Sequence, residues 1–229
     1  MFDGNKKYWF DNNDDSSTQR KKKQRFIRNR ITGLDFEGEM FDGRKSYQVL
    51  FITLIINELF RDDVGFITMK KLRETLFRRI KDAHAYERKR RRMGRPLEDH
   101  ERTIFHDIHG LIWRQESGGN GDENHHLHLV VFVRASRRNH VTACDELGMA
   151  WQRMTSEWGD FDNANRYAYS YRNKWGVAVG YVHRDDEEKR AALQKLIGLY
   201  MAKVSQMPVD CDEDDKLFGA RHFSLYNRC

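Results

Sequence analysis

Residues 103–133 read TIFHDIHGLIWRQESGGNGDENHHLHLVVFV, and this stretch decides the fold. Residues 103–116 and 126–133 are both rich in branched and aromatic side chains, which predicts two strands. The glycine-rich linker at 118–121 predicts a turn between them. We therefore expect the two strands to form an antiparallel hairpin.

The segments around this hairpin alternate between strand and helix patterns. Strands are predicted from continuous apolar runs, and helices from apolar residues that recur every three or four positions. In chain order the predicted elements are a strand at 47–57, a helix at 68–83, the hairpin, a helix at 141–158 capped by Asn139, a strand at 175–184 and a helix at 185–204. The order β-α-β-β-α-β-α predicts an α+β fold with a central antiparallel-rich sheet, on the ferredoxin-like or RNA-recognition-like plan.

Composition limits the class of protein. The 229 residues include 39% apolar side chains and many aromatic ones, enough to fill a core, so a wholly disordered chain is excluded. The sequence has only 2 prolines, and its 16 glycines are scattered along the chain, which excludes collagen-like and proline-rich classes of protein. The net charge of +6 favours polyanionic partners such as nucleic acid.

Two basic runs lie outside the predicted strands. One, at 20–30, belongs to a polar N-terminal stretch at 1–45 that we interpret as a mobile or loosely docked arm. The other, at 88–95, is predicted to be an exposed loop, and Arg88, Arg90 and Arg91 are candidate DNA contacts. The run at 20–30 is equally compatible with a solvated charged segment and with an arm that contacts phosphates. The expected organisation is the arm, a domain at 46–205 and a tail at 206–229.

The sequence predicts a cytoplasmic protein without a membrane segment. No apolar run approaches the twenty residues that a membrane-spanning helix needs, and the N-terminus does not resemble a signal peptide. Cys144, Cys211 and Cys229 are widely spaced and form no paired motif, which is typical of a reducing compartment.

Two histidines in the second hairpin strand form a candidate metal half-site. Side chains alternate along a strand, so His126 and His128 should share one face, and the hairpin should bring Glu116 beside them. Two imidazoles and one carboxylate favour Mn²⁺ or Mg²⁺, with Zn²⁺ as an alternative. A bulge near Asn124 would place His125 there instead of His126. The alternative is that the histidines are structural.

The last predicted helix carries a tyrosine and a lysine three residues apart, Tyr200 and Lys203, which should be adjacent. By default such a tyrosine is a core residue. Beside a metal it becomes a candidate nucleophile, with Lys203 favouring its phenolate or steadying a phosphate. In a further stretch at 166–175, aromatic and cationic residues are interspersed. Such a loop could bind nucleic acid by base stacking and phosphate contacts, or its aromatic residues could simply cover the core. Its candidate DNA contacts are Arg166, Tyr169 and Arg172, and its candidate alternative nucleophiles are Tyr167, Tyr169 and Tyr171.

These motifs resemble, in type and order, those of the HUH endonucleases. The apolar strand at 51–54, the His126-Leu127-His128 strand and the Tyr200-x-x-Lys203 helix correspond to the family's three motifs. Together with the segments 113–116 and 218–224, they resemble more narrowly the replication initiators of filamentous (inovirus-type) phages and prophages. The resemblance spans residues 47–224.

The resemblance implies a function for these residues. His126, His128 and Glu116 would hold a divalent metal, Tyr200 would form a 5′-phosphotyrosine bond with single-stranded DNA, and Lys203 would assist. The protein would then nick and rejoin DNA at a rolling-circle replication origin in the bacterial cytoplasm, with a host helicase and polymerase as partners. A single tyrosine leaves open whether another subunit makes the second cleavage. The alternatives are an HUH transposase or relaxase, and a non-catalytic nucleic-acid-binding module.

Overall fold

The computed structural model describes residues 16–61, 63–118, 124–137, 139–171, 176–204, 211 and 215–223. These residues form an α+β structure around one antiparallel sheet of six strands. A π-helical turn, Leu196–Met201, continues the last helix, and a 3₁₀ helix spans Ala164–Tyr171. The other elements are α1 (Ser16–Gly43), β1 (Ser46–Ile56), α2 (Phe66–Arg92), α3 (Ile104–Asp107), β2 (Ile108–Glu116), β3 (His126–Arg134), α4 (His140–Met154), β4 (Gly159–Asn163), β5 (Gly180–His183), α5 (Glu187–Lys195) and β6 (Phe218–His222).

The sheet is built outward from β1 and β3. The strand order is β4-β1-β3-β2-β6, and β5 pairs with the first half of β1. The predicted hairpin is confirmed, because β2 and β3 pair antiparallel with Trp113 opposite Leu129 and Glu116 opposite His126. Beyond it, β6 pairs with β2 and places Gly219 opposite Trp113.

Helices cover both faces of the sheet. On one face α2 and α4 pack on Leu54, Leu127 and Leu129, which are fully buried. On the other face α1 and α5 pack on the alternate residues of the same strands, including Val130 and Phe132. The central strands are therefore buried on both sides, which is why their sequences are continuous apolar runs.

The interpretation of residues 1–45 as an arm is wrong for the part that the structure describes. Residues 16–43 form α1, a helix of 28 residues whose Phe36, Met40 and Phe41 are buried against the sheet. The basic run at 20–30 occupies the start of this helix, where its apolar side, including Phe26, packs on the chain after α5. Arginine and lysine are good helix formers, so a charged run is no barrier to helix formation.

Four other boundaries differ from expectation. Residues 88–92 continue α2 rather than forming a loop, and residues 104–107 form α3 before the strand begins. Of the strand expected at 175–184, only residues 180–183 form a strand, β5, and residues 172–175 lie outside the described ranges. The helix expected at 141–158 ends earlier, at Met154 of α4. The tail contributes a sheet strand, β6. The Asn139 cap is confirmed, because its side chain accepts hydrogen bonds from the backbone of Val141 and Thr142.

Within the described ranges, none of the helices has the length and apolar character required to cross a lipid bilayer. Cys144 is a buried free thiol, and Cys229 lies outside those ranges. Burial raises the pKa of the Cys144 thiol above its usual value.

Candidate metal and tyrosine site

Three adjacent strands present polar side chains at one place on the α1 and α5 face. Pairing of β2 with β3 sets Glu116 opposite His126 and Arg114 opposite His128. Pairing of β1 with β3 sets Thr53 opposite His128 as well. Because side chains alternate along each strand, all five groups point to the same side of the sheet.

Glu116, His126 and His128 form a compact donor cluster. The Oε1 atom of Glu116 lies 2.8 Å from Nε2 of His126 and 2.8 Å from Nε2 of His128. The donor atoms all fall within 4.8 Å of one another, so the cluster could hold a divalent metal ion. Glu116 and His128 are buried and His126 is half-buried, so the cluster opens to solvent on the side of His126.

The hydrogen bonding of His126 leaves its other nitrogen available to a cation. Its Nδ1 lies 2.9 Å from the carbonyl oxygen of Asn124, and a carbonyl only accepts, so Nδ1 carries the hydrogen. In the neutral imidazole Nε2 is then a lone-pair donor, yet it faces a carboxylate oxygen, which is also an acceptor. A proton or a metal ion between the two atoms satisfies both.

His128 can adopt either tautomer because of Thr53. The threonine hydroxyl lies 2.9 Å from His128 Nδ1, and a hydroxyl can donate to that nitrogen or accept from it. When Thr53 accepts, Nδ1 carries the hydrogen and Nε2 is free to bind a metal. Such a hydrogen bond to the non-ligating nitrogen is typical of metal-binding histidines. Phe51 stacks at 6.1 Å from the imidazole and shields it.

The electrostatics of the cluster favour an ionised Glu116 and a neutral His128. Burial opposes ionisation of Glu116, but its close contacts with His126 and His128 and the charge of Arg114 outweigh it and lower the pKa of Glu116. Burial lowers the pKa of His128 to about 4, so this imidazole is neutral at pH 7. A carboxylate and neutral imidazoles are the forms that bind metals.

Tyr200 reaches this cluster from the π-helical turn. Its hydroxyl lies 3.5 Å from Nε2 of His128, and its ring packs edge-on against His128 and Phe51 at 5.4 Å and 5.7 Å. The turn is closed by a hydrogen bond from the Ala202 amide to the carbonyl of Ile197, five residues earlier. A π turn holds one residue more than an α turn and is common at functional sites. Tyr200 is half-buried rather than a core residue.

Arg114 ties the tyrosine to the carboxylate, a role the sequence interpretation did not assign. It is buried, forms an ion pair with Glu116 and donates a hydrogen bond to the carbonyl of Tyr200. Its guanidinium carbon also lies 4.9 Å from the centre of the Tyr200 ring. The signal was available, because Arg114 is two residues before Glu116 and so shares its face.

Lys203 is a second cationic side chain close to the tyrosine. Its Nζ is 5.8 Å from the centre of the Tyr200 ring. Burial and the charge of Arg114 lower the pKa of Lys203, against an opposing effect of Glu116. Two cationic side chains, Arg114 and Lys203, therefore lie near the Tyr200 ring.

The alternatives considered for this site lie elsewhere. His125 is buried against Phe66, 6.3 Å between ring centres, on the α2 face of the sheet. Tyr167 and Tyr169 are exposed on the 3₁₀ helix, by 53% and 69%. The side chains of Tyr171 and Arg172 lie outside what the structure describes.

Among the candidate DNA contacts, Arg88, Arg90 and Arg91 are far from this cluster. They lie at the C-terminal end of α2, where His84 contacts Ile108, the first residue of β2. Glu116 ends that strand, and eight residues of strand span about 27 Å. The α2 helix also covers the opposite face of the sheet.

Two of these arginines are engaged in ion pairs. Arg91 pairs with Glu87 at 2.7 Å, and Arg90 pairs with Glu101 at 3.1 Å. Arg166 precedes the two exposed tyrosines and pairs with Asp145 of α4 at 2.9 Å. Its 3₁₀ helix borders β1, because the side chain of Asn165 donates to the carbonyl of Phe51. Arg166 and Tyr169 are thus nearer to the cluster than the arginines of α2.

Comparison of the chain with protein-family models, with curated proteins and with solved structures gives no match. The function is therefore inferred from the chemistry of the site and from the motifs in the sequence.

Proposed function

We propose that this protein is a metal-dependent, single-tyrosine endonuclease of the HUH type. It nicks and rejoins single-stranded DNA through a 5′-phosphotyrosine bond, and so starts rolling-circle replication. One observation carries the proposal: the hydroxyl of Tyr200 lies 3.5 Å from a histidine of the metal-competent Glu116, His126 and His128 cluster.

The strand arrangement supports the HUH assignment. The segment from β1 through α2, β2, β3 and α4 to β4 has the order β-α-β-β-α-β, apart from the single turn of α3. In the sheet its strands lie in the order β4-β1-β3-β2, all antiparallel. The ferredoxin-like plan has its four strands in this order, and the polar residues that the sheet contributes to the site lie on three of them, β1, β3 and β2.

The donor set fits a divalent ion, which we propose to be Mn²⁺ or Mg²⁺. His126, His128 and Glu116 would hold it, with Thr53 and the Asn124 carbonyl orienting the two imidazoles. Three protein donors that include a carboxylate are fewer than a closed structural zinc site provides. When bound, the ion would polarise the scissile phosphate and neutralise charge on its oxygens.

Tyr200 would carry out the cleavage. The phenol gives up its proton, its oxygen forms a bond to phosphorus, and the bond from phosphorus to the 3′ oxygen breaks. The 3′ oxygen leaves with the electron pair and takes up one proton, so no proton is gained or lost overall. Arg114 and Lys203 stabilise the phenolate that attacks. One phosphoester replaces another, so the reverse reaction rejoins the strand without a nucleotide cofactor.

The released 3′ hydroxyl would prime a polymerase. No G-x-x-x-x-G-K-[ST] motif occurs in the sequence, so unwinding would fall to a separate helicase. We expect both partners to be host proteins.

The decisive experiment is the formation of a covalent adduct. The protein is incubated with single-stranded oligonucleotides and Mn²⁺, and the product is identified by denaturing electrophoresis and peptide mass. We expect an adduct on Tyr200 that is lost in Tyr200→Phe and on chelation. Tyr169→Phe, which removes the same hydroxyl from an exposed position, is the matched control and should retain the adduct.

Two results would contradict the assignment. An adduct that persists in Tyr200→Phe and disappears in Tyr169→Phe would move the nucleophile to the 3₁₀ helix. Salt-sensitive DNA binding that ignores chelators and never yields an adduct would favour a non-catalytic binding module. Within the same chemistry, greater activity on transposon ends than on origin hairpins would favour a transposase.

A further inference from the structure

A cleft of about 450 Å³ lies directly beside the candidate site, between α1 and the edge of the sheet formed by β2 and β6. Glu116, Arg114 and Lys203 line it at the end shared with the metal and tyrosine site. Arg25 and Arg28 line the α1 side. The cleft is therefore continuous with the place where a scissile phosphate would bind.

The wall formed by α1 is fixed relative to Tyr200. Phe26 packs on Ala202 and Val204, and the side chain of Asn29 donates to the Ala202 carbonyl at 3.4 Å. Gly33 approaches Ile197 so closely that a Cβ there would lie 2.6 Å from its Cγ2 atom. The helix thus docks on the turn that carries the tyrosine, which fixes the backbone positions of its arginines relative to that turn.

One face of α1 supplies the basic wall. Arg25, Arg28 and Thr32 recur at steps of three and four residues, which places them on one side of the helix. Arg28 is exposed and Arg25 is half-buried, so this side of the helix is open to solvent. The apolar side, with Phe26 and Phe36, faces the protein instead.

The charges lining the cleft favour an anion. Its cations include Arg25, Arg28, Lys203 and Lys216, and its carboxylates are Glu116 and Asp215. Glu116 is paired with Arg114, and Asp215 is paired at 2.6 Å with Lys70, a residue outside the cleft. Phe218 is the one aromatic residue among the described lining residues, and it is buried. The cleft therefore suits a phosphate group rather than a stacked base.

We propose that this cleft binds the phosphodiester backbone of the single strand next to the scissile phosphate, through Arg25 and Arg28 of α1. This inference rests on the proposed function, since it takes the scissile phosphate to lie at the adjoining cluster. It gives the N-terminal helix a direct role in binding the substrate. The ligand is the backbone, so binding is independent of base sequence.

The test measures binding without cleavage. Fluorescence anisotropy with a labelled oligothymidylate, in the presence of EDTA and at several salt concentrations, gives the affinity and its dependence on salt. The double variant Arg25→Ala/Arg28→Ala is compared with Arg78→Ala/Arg79→Ala, which removes two exposed arginines from α2 on the opposite face. Arg28→Glu, at an exposed position, provides a second variant in case the double variant is unstable.

We expect Arg25→Ala/Arg28→Ala to weaken binding about tenfold and to lower the slope of log K against log salt by about 1.4, or about 0.7 for each lost phosphate contact. The α2 control should keep the parental slope. Equal slopes in the two double variants, or a parent that does not bind oligothymidylate, would overturn the proposal. Tighter, arginine-dependent binding of oligouridylate would also overturn it, in favour of RNA.

The two proposals fail separately. If the parent forms the Tyr200 adduct but its affinity does not depend on Arg25 and Arg28, the cleft assignment alone is wrong. If affinity depends on these arginines but no adduct forms with Mn²⁺, the cleft binds a strand and the nicking proposal is wrong.

Discussion

Replacing Gly33 by alanine should destabilise the protein, whereas the same replacement at Gly38 should stabilise it. Both glycines lie inside α1, where alanine is favoured over glycine by about 1 kcal/mol. At Gly38 nothing lies within 4 Å of the position that a Cβ would take. The full gain in helix propensity is therefore expected there, about 0.5–1 kcal/mol in the free energy of unfolding.

At Gly33 the added methyl group has no space. It would lie 2.6 Å from Cγ2 of Ile197 and 3.2 Å from Cζ of Phe218. Ile197 is fully buried, and its Cγ2 is attached at the branch point, so it moves only if the side chain rotates or the helices separate. Overpacking of this kind costs about 1–3 kcal/mol. After the helix gain is subtracted, we expect a loss of about 0–2 kcal/mol, and a difference of about 1–3 kcal/mol between the two variants.

Urea unfolding of the parent and both variants, followed by circular dichroism, measures these differences. Adduct formation should also slow in Gly33→Ala, because the strain acts on the turn that positions Tyr200. If Gly33→Ala stabilised the protein as much as Gly38→Ala, α1 would not dock on this turn, and the wall of the proposed cleft would be lost with it.

Three further variants test the site and the fold. Burial lowers the pKa of His109 to about 3. Between about pH 6.5 and about pH 3, His109 is therefore protonated in the unfolded chain but not in the folded protein. The free energy of unfolding should therefore decrease as the pH is lowered from about 6.5 to about 3. His109→Gln should reduce the slope of this free energy against pH by about 1.4 kcal/mol per pH unit. Arg114→Met should raise the affinity for Mn²⁺ measured by calorimetry, because the guanidinium paired with Glu116 repels a metal ion that binds the same carboxylate. An unchanged affinity would mean that Glu116 is not a ligand of the metal. Asn139→Ala should cost about 1 kcal/mol in urea unfolding because α4 loses its cap, and no loss would show that water replaces it.

The metal cluster was predictable from sequence because strand alternation and hairpin pairing are short-range rules. Once the turn after Glu116 is recognised, strand alternation with a period of two residues places His126 and His128 on the same face of the sheet as Glu116. The position of Tyr200 was not predictable in the same way. It depends on a π turn and on the packing of α5 across the sheet, which no local pattern encodes.

The helix α1 was missed because its apolar side is narrow and interrupted. Asn29 and Glu37 are buried on the side that packs against the protein, where Glu37 is neutralised by Arg190 of α5. A sequence pattern counts these two positions as polar surface. The edge strand β4 was missed for a related reason, because Gly159 and Asp160 have low strand propensity and pair with β1 mainly through backbone hydrogen bonds.

The π turn determines which changes in chain length the segment before Tyr200 can accept. Because a π turn holds one residue more than an α turn, deleting one residue within Leu196–Met201 returns the segment to ordinary α geometry and leaves the direction of Tyr200 nearly unchanged. A one-residue insertion has no such outlet, and it would rotate the phenol by about 100° around the helix axis, away from His128. Relatives that use the same chemistry can therefore be one residue shorter between α5 and the tyrosine, whereas a single-residue insertion there would mark a chain that has lost it.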